Sequence, residues 1–245
     1  MTFTLIPAID VREGQVVRLK QGDYQQQTTY PKSPLQQAIA YAEQGAQILH
    51  LVDLDAARLG GFSLHELVRS IKNETDLTVQ TGGGIRSRAH VASVLEAGAD
   101  RVVIGTLALT EKTQVQDWLT EFSMDAITLA FDVKQNSAGE WLCASHGWTE
   151  LGKLTLNQII KYYQTTSGIK HVLCTDIQRD GLLTGYNLSL YQQLKADWPA
   201  LEIQASGGVN SLDDIAQVKQ LGISGAILGR ALLQGVFTLP EALQC

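Results

Sequence analysis

Cysteine is scarce in this chain. Cys143, Cys174 and Cys245 are three in number, with no C-x-x-C spacing among them. That argues against a disulfide framework and against a zinc site, and it fits a reducing compartment. Basic charge is scarce too: 19 Lys and Arg against 25 Asp and Glu leave a net charge of −6. With no basic stripe or block, nucleic acid is not an expected partner. No stretch approaches the roughly 18 apolar residues of a membrane helix, and "MTFTLIPAID" carries no basic leader. The expectation is a cytoplasmic chain with no membrane contact. The histidines (His50, His65, His90, His146, His171) are scattered, with no H-E-x-x-H pattern, so no metal site is expected. The serine elbow G-x-S-x-G is absent as well. Linkers and low-complexity tracts are missing, which leaves residues 1–245 as one domain.

What is present is regular. Eight short runs are apolar and β-branched: 3–9, 48–52, 77–81, 101–105, 126–131, 171–175, 201–205 and 225–229. They lack clean polar alternation, as expected of parallel strands covered on both faces. Helical periodicity fills the gaps, as in "LQQAIAYAEQG" (35–45), "RAHVASVLEAG" (88–98) and "LDDIAQVKQLG" (212–222). Each of these ends in Gly, and Ser87 and Ser211 stand where N-caps belong. Eight strand–helix units in 245 residues average about the size of a βα unit.

The chain also repeats itself. Residues 83–109 align without a gap on 207–233, an offset of 124, with Gly83/Gly207, Gly84/Gly208, Ser87/Ser211 and Gly105/Gly229 among the identities. "AIDV" with Asp10 matches "AFDV" with Asp132, and "HLVDL" with Asp53 matches "LCTDI" with Asp176. A period near half the chain implies two (βα)₄ halves, and two such halves close most naturally into one α/β (βα)₈ TIM barrel.

Barrel enzymes carry their chemistry at the C-terminal ends of the strands. Asp10 and Asp132 end the first and fifth runs, on opposite sides of such a ring. Each follows apolar residues, so each carboxyl is partly desolvated and suited to acid–base work. Glycine-rich turns entering helices bind anions through free N–H groups. Two phosphate sites are therefore expected: one from Gly83, Gly84, Gly105 and Thr106, the other from Gly207, Gly208, Gly229 and Arg230. "GGGIRS" lacks the G-x-G-x-x-G spacing of a dinucleotide fingerprint. "DVREGQVVRLKQGDY", containing Arg18, reads as a hairpin over the mouth, and Trp148 in "SHGWTE" is placed to stack on a planar ring. Asp176 is grouped with the substrate-binding residues.

"PAIDVREGQVVRLKQGDY", "LHLVDLDAA", "TGGGIRS", "AFDVK", "HVLCTDIQRDG", "SGGVNSLDDI" and "GRALLQG" together resemble the phosphoribosylformimino-aminoimidazole carboxamide ribotide isomerases of histidine biosynthesis. The resemblance spans nearly the whole chain. It implies a cofactor-independent Amadori rearrangement of a substrate with a phosphate at each end. Asp10 is implied as general base, Asp132 as general acid and Thr175 as a support for the reacting sugar. Trp148 is implied to stack on the imidazole carboxamide, and Arg86 to help close the mouth. One departure is Leu182, where the family usually has Thr after "RDG". The related cyclase subunit resembles this chain less around "VVRLKQGDY". A bifunctional isomerase that also accepts phosphoribosyl anthranilate, and a non-catalytic phosphosugar-binding barrel, remain alternatives. A monomer is expected.

Overall fold

The computed structural model describes residues 3–20 and 22–245. Its strands are β1 (Thr4–Arg12), β2 (Gln15–Lys20), β3 (Asp23–Thr29), β4 (Ile48–Asp53), β5 (Thr78–Gly82), β6 (Arg101–Ile104), β7 (Ile127–Gln135), β8 (Trp141–Ser145), β9 (Glu150–Thr155), β10 (His171–Asp176), β11 (Glu202–Ser206) and β12 (Gly225–Leu228). Eight of them form a closed parallel ring in the order β1-β4-β5-β6-β7-β10-β11-β12, with β12 returning to β1 and β10 pairing β7. These eight are the apolar runs of the sequence. The fold is the (βα)₈ barrel.

Alternation along each strand decides what reaches the axis. In β1, Leu5, Ile9 and Val11 belong to the large core between strands and helices, whereas Ile6 and Ala8 join Leu173 and Ile227 in a small inner cluster. Asp10 shares the inward parity of Ile6 and Ala8. Asp132 shares that of Ala130, with Phe131 and Val133 facing the helices. The outer helices are held at their starts as expected. Ser87 caps Arg88–Glu96 through the His90 N–H, and Ser211 caps Leu212–Gln220 in a reciprocal capping box with Asp214.

The two halves match beyond the barrel itself. β1 runs past the ring into an antiparallel partner, Asp10↔Val17 through Arg12↔Gln15, and β2 turns back as β3. β7 does the same, Asp132↔Ala144 through Gln135↔Trp141, and β8 turns back as β9. The first hairpin is the one expected over the mouth. Trp148 therefore sits in the turn of a second hairpin. Among the described residues, no helix is long and apolar enough to cross a membrane.

Candidate active site

A cavity of about 1320 Å³ opens at the C-terminal ends of the strands. Its walls include Asp10, Arg18, Gly83, Gly84, Arg86, Gly105, Thr106, Asp132, Trp148, Thr175, Gly207, Gly208, Gly229 and Arg230. Asp176 is placed differently. Thr175 faces the axis, so its strand neighbour must face away, and Asp176 is buried outside the cavity lining. Its carboxylate accepts from the Gln178 N–H at 2.9 Å and the Asn187 amide at 2.7 Å. Asp53 does the equivalent work in the first half, accepting from the Ala56 N–H at 2.8 Å and the Ser63 N–H at 2.6 Å. Both aspartates tie down the loop that follows their strand. Asp176 is thus a framework residue beneath the binding surface.

The two inward carboxylates have different company. The Arg18 guanidinium donates to Asp10 at 2.8 Å and reaches Asp180 at 3.6 Å. Burial pushes the Asp10 carboxyl above its usual range, while the Arg18 charge draws it back down. Burial also raises Asp132, but the groups that hold it back, Trp148 and Thr175, are neutral hydrogen-bonding side chains. Thr175 and Asp132 are register partners on adjacent strands, which fixes that pairing. A carboxylate with a cationic partner is favoured as a base. One with only neutral partners in a desolvated setting is suited to carry a proton as an acid.

The glycine turns are built by close packing. A Cβ on Gly83 (φ +113°) would lie 2.1 Å from the Asp53 carbonyl oxygen, and one on Gly207 (φ +93°) would lie 3.0 Å from the equivalent Asp176 carbonyl oxygen, a looser contact. The loops beyond lock on symmetrically: the Gly61 N–H donates to the Gly84 carbonyl at 3.0 Å, and the Gly185 N–H to the Gly208 carbonyl at 2.8 Å. Gly82, which has no glycine counterpart at Ser206, is explained by its neighbour, since a Cβ there would sit 2.6 Å from the Val103 carbonyl oxygen. Each turn faces a short helix one strand further on, Leu107–Thr110 after Gly105 and Thr106, and Arg230–Leu233 after Gly229. The first residues of those helices line the cavity beside the glycine turns, at two matched places around the mouth.

The remaining candidates line the rim and walls. Arg230 donates to the Gly181 carbonyl and so ties the loop after β10 to the second grip. The Arg86 guanidinium packs over Gly60 and donates to the Arg58 carbonyl at 3.4 Å. Trp148 lies against Gly22 at the tip of the first hairpin, so the two hairpins meet across the mouth. The Thr106 hydroxyl accepts from the His146 N–H at 3.2 Å. Leu182 does not line the cavity, whereas Leu183 does. The Thr-to-Leu departure therefore falls beside the cavity wall rather than on it. Among the lining residues that were not expected are Asp180, Arg58 and His50. Asp180 and Arg58 lie on loops, where no periodicity reports direction. His50 was readable, since it stands on an inward-facing position two residues before Val52.

The model of the histidine biosynthesis protein family matches residues 4–238. A protein of Stenotrophomonas maltophilia strain R551-3 is 51% identical over 245 residues, covering all of both chains. Proteins of Xanthomonas campestris pv. campestris strain B100 and Xanthomonas oryzae pv. oryzae strain PXO99A are each 50% identical, again over the whole of both chains. All three relatives are named 1-(5-phosphoribosyl)-5-((5-phosphoribosylamino)methylideneamino)imidazole-4-carboxamide isomerase. With a closed barrel, paired glycine grips and a full-length match of this kind, the chain belongs to the histidine biosynthesis protein family.

Proposed function

We propose that this protein is the isomerase its relatives are named for, converting the phosphoribosyl aminoaldose to the phosphoribulosyl aminoketose by an Amadori rearrangement. The observation that carries the reading is the placement of Asp10 and Asp132 on opposite strands of the ring, between two matched glycine grips. A substrate with a phosphate at each end spans such a mouth, and the reacting sugar then lies between the carboxylates.

In this reading Asp132 gives its proton to the ring oxygen of the ribosyl group. The C1–O bond breaks, and the nitrogen lone pair forms the C1=N bond of a Schiff base. Asp10 takes the proton from C2, and the C–H electrons move toward the iminium to leave an enol-amine. Loss of the enol proton and protonation at C1 give the ketone. Every atom of the aldose is retained and no net oxidation occurs, so the reaction calls for no cofactor. Thr175 supports the reacting sugar beside Asp132, Trp148 stacks on the imidazole carboxamide, and Arg86 closes the rim. The protein works in the cytoplasm, as a monomer, on a small bisphosphorylated substrate, without nucleic-acid or membrane partners.

Incubating the purified protein with the aminoaldose and following the absorbance change tests this directly. Turnover that survives EDTA is expected, with near-total loss in Asp10→Asn. An active Asp10→Asn variant, or activity abolished by chelation, would overturn the mechanism. Turnover of phosphoribosyl anthranilate in the same assay would mark a bifunctional enzyme.

A further inference from the structure

Below the carboxylates lie three buried polar side chains that the mechanism above does not use. Gln80 on β5 and Gln204 on β11 are equivalent positions of the two halves, 124 residues apart. Their amides meet across the barrel axis: Gln80 Nε2 donates to Gln204 Oε1 at 2.7 Å, and Gln204 Nε2 donates to Gln80 Oε1 at 2.9 Å. Gln80 Nε2 has a second hydrogen, and His50 Nδ1 lies 3.1 Å from it. An amide nitrogen only donates, so Nδ1 must accept. A neutral imidazole that accepts at Nδ1 carries its proton on Nε2.

His50 is in register with Ala8 on one side and Gln80 on the other. It lines the cavity with Ala8, Ala130, Leu173 and Ile227, an otherwise apolar floor, whereas Gln80 and Gln204 lie beneath it. Burial, helped by the Arg18 charge, pushes the His50 pKa down to about 4, so the ring is neutral at physiological pH. A neutral ring does not compete with Arg18 for Asp10. It offers one N–H to whatever rests on the floor.

We infer that His50 is a neutral Nε2–H donor to a sugar oxygen of the reacting pentose, held in that tautomer by the Gln80–Gln204 amide pair. The inference rests on the isomerase reading for the identity of the pentose. His50 moves no proton. It donates to an oxygen that accepts both as a hydroxyl and as the product ketone, and so orients the sugar between the two carboxylates. Gln80 and Gln204 are positioning residues that act through the ring. Turning both amides over would preserve their mutual bonds but would set a carbonyl on Nδ1 and move the proton there. The arrangement is therefore directly measurable.

The test uses the full chain labelled with ¹⁵N-histidine. Two-bond ¹H–¹⁵N spectra, with His50→Gln for assignment, should show an Nε2–H ring that does not titrate between about pH 5 and 8. Gln204→Leu leaves a buried Gln80 amide half-satisfied and so threatens folding. Gln80→Leu/Gln204→Leu removes both amides together, which is far better tolerated. In the double variant the single tautomer should be lost and kcat/KM should fall about tenfold, the worth of one well-placed neutral hydrogen bond. The pH limbs set by the carboxylates should stay in place. An Nδ1–H ring in the wild type would overturn the inference. So would a double variant that keeps wild-type kcat/KM. If the wild type fails to turn over the aminoaldose, the isomerase reading falls on its own, and the spectra still decide whether the amide pair sets the His50 proton.

Discussion

Alanine at the two matched glycines should separate backbone strain from steric conflict. Gly83 and Gly207 are equivalent positions with φ of +113° and +93°. Either substitution forces an L-residue into a region it rarely visits, at about 1–3 kcal/mol. Both also narrow the unfolded ensemble by a similar amount, so that effect cancels in the comparison. The surroundings differ. A Cβ at Gly83 would lie 2.1 Å from the Asp53 carbonyl oxygen and 2.9 Å from the carbonyl carbon. At Gly207 the nearest atoms are the Asp176 carbonyl oxygen at 3.0 Å and Thr175 Cγ2 at 3.3 Å. The second contact is relieved by a shift of a few tenths of an ångström. The first requires about an ångström of movement by the backbone of Asp53, a residue whose carboxylate anchors both Ala56 and Ser63. Overpacking of that kind costs about a further 1–3 kcal/mol. Gly83→Ala should therefore destabilise by about 2–6 kcal/mol and Gly207→Ala by about 1–3 kcal/mol. Urea unfolding monitored by tryptophan fluorescence measures both, as shifts in midpoint at constant slope. Equal losses, or a larger loss at Gly207, would show that contact with the strand-end aspartate does not set the tolerance of these turns.

Three further outcomes follow from the two carboxylates. Asp132→Asn should abolish turnover yet stabilise the fold near neutral pH. Its folded-state pKa is raised by burial, so the native state favours the protonated form. That contribution is present at low pH and lost as pH rises through the folded value, so the gain from Asn should grow with pH in thermal unfolding scans; destabilisation at neutral pH would refute it. Arg18→Met removes the charge that draws Asp10 down, so the acidic limb of the kcat/KM profile should move to higher pH. Thr175→Val removes a hydrogen bond that draws Asp132 down, so the basic limb should move to higher pH instead. If the two variants move the opposite limbs, the base and acid are exchanged.

Most of the barrel was legible because it is made of repeats and periods. The eight apolar runs are the eight ring strands, and their ends fall within a few residues of the observed ones except where β1 and β7 continue into hairpins. The second hairpin was not read as strands, because β9 is largely exposed along its length and carries no apolar alternation. Asp176 shows how local pattern outruns local geometry. A carboxylate at a strand end looks like a ligand, yet Thr175 already occupies the inward direction and a strand cannot present both neighbours to one face. The same parity places His50 and Gln80 inward. Their meaning depends on ring closure, which brings Gln204 to Gln80 from the other half of the chain. Asp180 depends on the course of a loop, and no spacing rule carries that information.

The symmetry that made the fold readable does not distinguish the two carboxylates, and the chemistry needs them to be distinct. Asp10 and Asp132 occupy equivalent ends of equivalent strands, each followed by a hairpin. With identical surroundings they would share one proton affinity, and neither would be committed to acid or base. The difference comes from what the hairpins contribute. The first brings Arg18, a permanent cation, against Asp10 and in reach of Asp180. The second brings Trp148, a neutral donor, toward Asp132. Two desolvated sites are thereby pushed apart in charge preference, the condition for one carboxylate to accept a proton while the other supplies one. On the proposed isomerase reading the glycine turns can stay matched, because the two ends of the aminoaldose would carry the same group. The hairpins cannot, because the sugar in that reading would have one carbon to deprotonate and one oxygen to protonate.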